Sequence, residues 1–161
     1  MDLIIISKGN KYNIQDQKGR LLYTVKKKAF SSGKFILYDS SDYALYSFRL
    51  TGSSDGGKKP EYSIILNEKT FMEVICKSLF LDPSFECVGK AISDKYDLLS
   101  TNRRDFKMVK NGTEIGSIST KTSANGDLQY DLSIEDREFD DYIPLFAVII
   151  DQTFGDMNKR T

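Results

Sequence analysis

The chain has 161 residues, 40% of them hydrophobic and 29% charged, which suits one globular domain with a substantial core and excludes a disordered or fibrous chain. Its formal net charge is zero and it has no histidine, which removes the commonest general base and the commonest metal ligand together. The charge is spread unevenly: residues 1–60 carry eleven Lys/Arg against five Asp/Glu, a net +6, and residues 61–161 carry twelve against eighteen, a net −6.

Short alternating segments follow one another from the start. Leu3–Ile6 is the first strand, and Tyr12, Ile14 and Asp16 lead into a turn at Gln17-Lys18-Gly19. Leu21 to Lys28 alternates, with Leu22, Thr24 and Lys26 opposite in facing to Leu21, Tyr23 and Val25. Ser31-Ser32-Gly33 breaks it, and Phe35–Asp39 and Ala44–Leu50 follow, separated by Ser40-Ser41-Asp42. Thr51 to Pro60 is rich in Gly and Ser and predicts a long loop. Tyr62–Leu66, Phe71–Lys77, Phe85–Val88, Tyr96–Leu99, Phe106–Val109, Ile115–Ser119 and Leu128–Ile134 complete a series of about twelve strands. Asn111-Gly112, though part of a glycosylation sequon, and Asn125-Gly126 predict tight hairpin turns.

Aromatic-led strands recur at a spacing of 23 residues, from Tyr12 to Phe35 and from Tyr62 to Phe85, with Phe106 and Tyr130 24 apart. That period fits a meander of hairpins closing into an antiparallel barrel, and it also suits a sandwich. The C-terminal segment decides between them. Tyr142 to Asp151 is apolar on every side, and a helix of that kind must be buried all round. We expect a helix over about 141–154, capped by Asp140 or Asp141, with Pro144 in its first turn and Gly155 as its stop. A buried strand is the alternative, because Val148-Ile149-Ile150 is β-branched. The run is well short of the ~20 residues that span a bilayer. Leu3–Ile6 is too short for a signal sequence, so a cytoplasmic protein is expected.

Chemistry-bearing residues are sparse. Cys76 and Cys87 are too few for a zinc site and read as buried free thiols, with a single disulfide as the alternative. The acidic stretch from Glu135 to Asp141 lacks calcium-loop spacing and reads as a solvated linker that caps the helix. Asp151 sits where a helix C-terminus disfavours negative charge; either it is exposed or it accepts hydrogen bonds from strand ends. No nucleophile elbow, phosphate loop or dinucleotide fingerprint occurs. The densest basic run is Lys26-Lys27-Lys28, in which Lys26 and Lys28 share a strand face and Lys27 takes the other. With Lys34, Arg49, Lys58 and Lys59 these residues form a candidate anion-binding face; the alternative is a charged strand end that discourages edge pairing. Arg103-Arg104, in a turn, is a second candidate phosphate grip or a solvated pair.

The sequence resembles the LURP-one-related proteins of the tubby C-terminal-like superfamily, which also takes in the phospholipid scramblases. The resemblance rests on three features: the strand pair from Tyr12 to Val25, the aromatic and serine segment from Lys28 to Asp39, and the acidic stretch followed by an apolar helix closing in Asp151. It implies a mainly β fold over residues 1–161, a twelve-stranded antiparallel barrel around a C-terminal hydrophobic helix. It implies no enzyme activity. Tubby proteins bind phosphoinositides through basic barrel residues, so the resemblance implies a binding module for phospholipid headgroups, or for another protein, at a membrane surface. From the residues themselves, with no histidine, two cysteines, no nucleotide motif and no run long enough to span a bilayer, no cofactor, metal, nucleic acid or membrane span is expected. A soluble protein-interaction scaffold is the second reading. A lipocalin-like carrier is the third, and it requires an open lumen.

Overall fold

The computed structural model describes residues 1–30, 33–54 and 59–160. Alternation builds the wall. The strands are β1 (Asp2–Ser7), β2 (Lys11–Gln15), β3 (Leu21–Lys27), β4 (Lys34–Asp39), β5 (Ala44–Ser54), β6 (Lys59–Leu66), β7 (Lys69–Ser78), β8 (Ser84–Gly89), β9 (Lys95–Ser100), β10 (Asp105–Lys110), β11 (Thr113–Thr122) and β12 (Leu128–Ile134). Each pairs antiparallel with its sequence neighbours, and β1 pairs with β12 to close the barrel, Leu3 opposite Leu132 and Ile5 opposite Tyr130. Every second side chain enters the core: Leu3 and Ile5, Tyr12 and Ile14, Tyr62 and Ile64, Tyr96 and Leu98, Phe106 and Met108. Closure leaves no open sheet edge.

Tight curvature needs local devices. Register shifts at Ile14/Gln15, Leu37/Tyr38, Leu50/Gly52, Ile64/Ile65, Cys76/Ser78 and Met108/Val109 bend the wall. Asn111 and Gly112 both take positive φ (50° and 87°), giving the two-residue hairpin that Asn-Gly predicts. At Gly116 a Cβ would lie 2.2 Å from the Ser133 carbonyl oxygen, so only glycine lets β11 come this close to β12.

The helix, α1 (Pro144–Lys159), threads the lumen. Leu145, Phe146, Ala147, Val148, Ile149, Ile150 and Phe154 have no exposed surface. Phe146 meets Tyr96 of β9, and Phe154 meets Phe85 of β8 and Phe106 of β10. Asp151 reaches β2 and β12 on the other side. Burial of each large side chain contributes about 1.5–3 kcal/mol, so this element is the core rather than an appendage. It also occupies the space a carrier's ligand would need.

Three expectations change. Thr51–Ser54 and Lys59-Pro60 belong to β5 and β6, not to a long loop: Ser53 pairs with Pro60 and Gly52 with Glu61. Pairing with a neighbour outweighs the local Gly/Ser signal, and a register shift between Leu50 and Gly52 accommodates it. The helix N-cap is Ile143, with no side-chain cap, instead of Asp140 or Asp141. Backbone turns supply the bonds there, Ile143 N–H to Asp140 O (3.0 Å) and Phe146 N–H to Ile143 O (3.0 Å), while Asp141 accepts the Tyr23 hydroxyl. Gly155 does not stop the helix; it lies inside it, where an added Cβ would come within 2.7 Å of Asp151 Oδ1.

Candidate anion-binding face

The helix runs from the acidic stretch at residues 135–141 to the turn that holds Arg103 and Arg104. Its C-terminal half carries Asp151, whose carboxylate accepts hydrogen bonds from the hydroxyls of Tyr12, Tyr130 and, at 3.4 Å, Ser7. Gln152 Nε2 donates to Tyr12 Oη (2.7 Å), and Tyr62 and Thr153 share a bond of 3.0 Å. Asp151 thus accepts bonds from strand ends, one of its two sequence-based readings. Burial first, and then the adjacent Asp151 charge, push the Tyr12 and Tyr130 phenols far above their ordinary value. These hydroxyls are fixed donors rather than proton shuttles at neutral pH.

Arg103 and Arg104 lie in the turn after β9 and face this same helix end. Arg103 Nε donates to Asn158 Oδ1 (3.3 Å), and Arg104 donates to the Asn158 carbonyl (3.2 Å) and to Thr122 Oγ1 (3.1 Å). Two cations on the last turn complement the negative end of the helix dipole. They are separate from the lysine run.

The lysine run lies on the wall formed by β2 to β5. Phe35 and Val25 point inward, so Lys26 and Lys28 point outward, as strand parity predicts. Lys27, opposite Phe35, takes the inward side at the rim and is exposed there. The Lys28 N–H donates to Lys34 O (2.7 Å), which sets these two side by side; Lys34 in turn stands directly opposite Arg49. Lys26 stands opposite Lys11, and its Nζ lies 5.6 Å from the Tyr38 ring centroid. Five cations therefore occupy one outer patch. Lys11 is the member that sequence reasoning missed; only the register between β2 and β3 reveals it. A groove of about 240 Å³ beside Lys34 is lined by Ile36, Leu45, Tyr46 and Ile65 and closes on Glu68, so it is not itself an anion site. Lys59 begins β6 near Cys76, and Lys58 lies outside the described residues.

Charge pairing separates this patch from the rest of the wall. Lys95 pairs with Glu86 and Asp97, Lys107 with Glu114, Lys110 with Glu138 and Asp94, and Lys121 with Asp131. Among the described residues, no carboxylate lies within ion-pair distance of Lys11, Lys26, Lys28, Lys34 or Arg49. Like charges directly opposite on adjacent strands are destabilising, by about 0.2–1 kcal/mol a pair. The patch keeps two such facing pairs, Lys11 with Lys26 and Lys34 with Arg49, with Lys28 added beside Lys34.

Other chemistry is thin. Cys76 and Cys87 are free and buried; burial pushes the Cys76 thiol up to about 11 and Cys87 well above its ordinary value. Among the described residues no group of His, Cys, Asp and Glu is arranged to hold a metal ion. No described helix is long and apolar enough to cross a membrane. A family model described as LURP-one-related matches residues 1–151. No curated protein and no solved structure matches the chain.

Proposed function

The chain belongs to the LURP-one-related family, and on that premise we propose that it is a non-catalytic barrel module that docks on anionic phospholipid surfaces. One observation carries the reading: Lys11, Lys26, Lys28, Lys34 and Arg49 crowd one outer face with no carboxylate among the described residues to neutralise them. Phosphate headgroups supply the missing charge. Each cation near an anionic leaflet contributes about 1 kcal/mol, so five support reversible, salt-sensitive attachment.

Sedimentation with vesicles tests this. The protein co-sediments with phosphatidylserine or phosphoinositide vesicles at low salt, and not with phosphatidylcholine alone. High salt releases it. The combined Lys26→Glu, Lys28→Glu and Lys34→Glu variant loses binding while its circular dichroism stays unchanged. No binding at low salt sinks the proposal and leaves the protein-interaction scaffold as the surviving reading.

A further inference from the structure

The basic patch lies at strand ends close to one rim, and that rim carries something a purely electrostatic site does not need. Phe30 is 110% exposed, Phe80 77% and Leu81 83%, and all three sit in turns at the barrel end where α1 finishes. Phe30 lies in the turn joining β3 to β4, between Lys28 and Lys34. Phe80 and Leu81 form the tip of the turn joining β7 to β8. Between these turns, Leu50 is 56% exposed and forms one wall of a groove of about 540 Å³ with Pro60, Leu79 and Met157. Apolar side chains therefore stand at both described turns and on the groove beside Leu50.

These side chains are held outward. Phe30 has φ +61°, a left-handed conformation that a glycine or asparagine adopts at lower cost than a bulky aromatic residue. The Ser78 hydroxyl donates to the Leu81 carbonyl, which closes the second turn and keeps Phe80 and Leu81 at its tip. Apolar residues on convex tips do not form a socket for a protein segment. They suit a soft apolar medium beneath a charged layer, with aromatic rings at the boundary and lysines at the headgroup level.

We propose that the barrel stands on the bilayer by this rim, with Phe30, Phe80 and Leu81 inserted among the acyl chains and the β2 to β5 cations on the anionic headgroups. This rests on the membrane reading and adds an orientation and a hydrophobic anchor to it. Charge complementarity selects the occupant: Lys28 and Lys34 flank Phe30, and they lack carboxylate partners among the described residues.

The chain contains no tryptophan, so one substitution makes a clean probe. Phe80→Trp marks the proposed anchor, and Tyr43→Trp marks an exposed position on the opposite rim. Both variants sediment with vesicles of phosphatidylserine and phosphatidylcholine. On binding, the Phe80→Trp emission shifts to the blue and is quenched by acyl-chain bromine; the Tyr43→Trp emission does neither. Sedimentation with a water-like Phe80→Trp emission overturns insertion and leaves the membrane reading intact. Absence of sedimentation overturns the membrane reading, and insertion with it. A second variant, Phe30→Ser with Phe80→Ser and Leu81→Ser, keeps its thermal midpoint because nothing buried is touched. It loses vesicle affinity by about tenfold per anchoring side chain. Unchanged affinity overturns the anchor.

Discussion

The two ends of the barrel solve the same problem in opposite ways. Where α1 begins, the carboxylates have internal partners. Asp141 takes the Tyr23 hydroxyl, Glu138 takes Lys110 at 2.9 Å, and Asp136 takes the Met1 amine. Aromatic rings fill in beneath, with Tyr142 packed against Tyr46, Phe71, Tyr96 and Phe146. Where α1 ends, Asp151 is surrounded by hydroxyls, the arginines close on the helix, and Lys11, Lys26, Lys28 and Lys34 have no carboxylate within ion-pair distance among the described residues. At the first end the carboxylates beside the helix start are paired within the fold. The second presents positive charge and apolar tips outward, so a binding partner is to be sought there.

Removing the carboxylate at the second end gives the largest expected effect. Asp151→Ala strips the acceptor from Tyr12 and Tyr130 and lowers stability by roughly 3 kcal/mol, read as a drop in the urea midpoint. Asp141→Ala costs less, because Tyr23 is only half-buried. Equal losses would show that the two ends are built alike.

Gly155→Ala follows. In an unobstructed helix this change stabilises by about 1 kcal/mol. Here the new methyl group collides with Asp151, and a loss of about 1–3 kcal/mol is expected. In an Asp151→Ala background the sign reverses, which a double-mutant cycle measures directly.

Alkali distinguishes the burial of the hydroxyls. The Tyr12 and Tyr130 values are raised on folding, so their contribution is complete below the ordinary phenol value near ~10 and is lost as pH rises through the folded values. The urea midpoint should therefore be insensitive to these groups up to about pH 9. Above pH ~10 it should fall, by up to about 1.4 kcal/mol per pH unit for each such tyrosine. Tyr12→Phe should flatten that fall; an unchanged slope would place the alkaline sensitivity elsewhere.

The smallest effect is the most diagnostic of function. Lys34→Gln relieves repulsion with Arg49 and Lys28, so it should raise stability by about 0.2–1 kcal/mol while weakening attachment to anionic vesicles. A stability loss would mean that the cations are structural.

The wall was legible because a barrel strand obeys a local rule. Tyr12, Ile14 and Val25 alternate with polar neighbours whatever the rest of the chain does, and the run from Tyr142 to Asp151 stands out by breaking that rule. The failures lie where a distant partner overrides a local signal. Gly52 and Pro60 look like loop residues until the strand facing them is known. Gly155 looks like a helix stop until Asp151 occupies its missing side chain's space. The basic site was half legible for the same reason. Lys26 to Lys28 is contiguous in the chain, whereas Lys11, Lys34 and Arg49 join it only through register. The split between Arg103-Arg104 and the lysines depends on where the helix ends, which no spacing encodes.

A core that follows its whole wall in the chain has a consequence for biosynthesis. All twelve strands leave the ribosome before residues 144–159 do. Until then the growing sheet has nothing to wrap around, and Leu3, Ile5, Tyr12 and their counterparts face water beside unpaired edges. Closure of the barrel around its core is therefore expected only once the helix has been made. A chain truncated before residue 144 is therefore expected to bind a hydrophobic dye and aggregate, where the chain through residue 159 does neither.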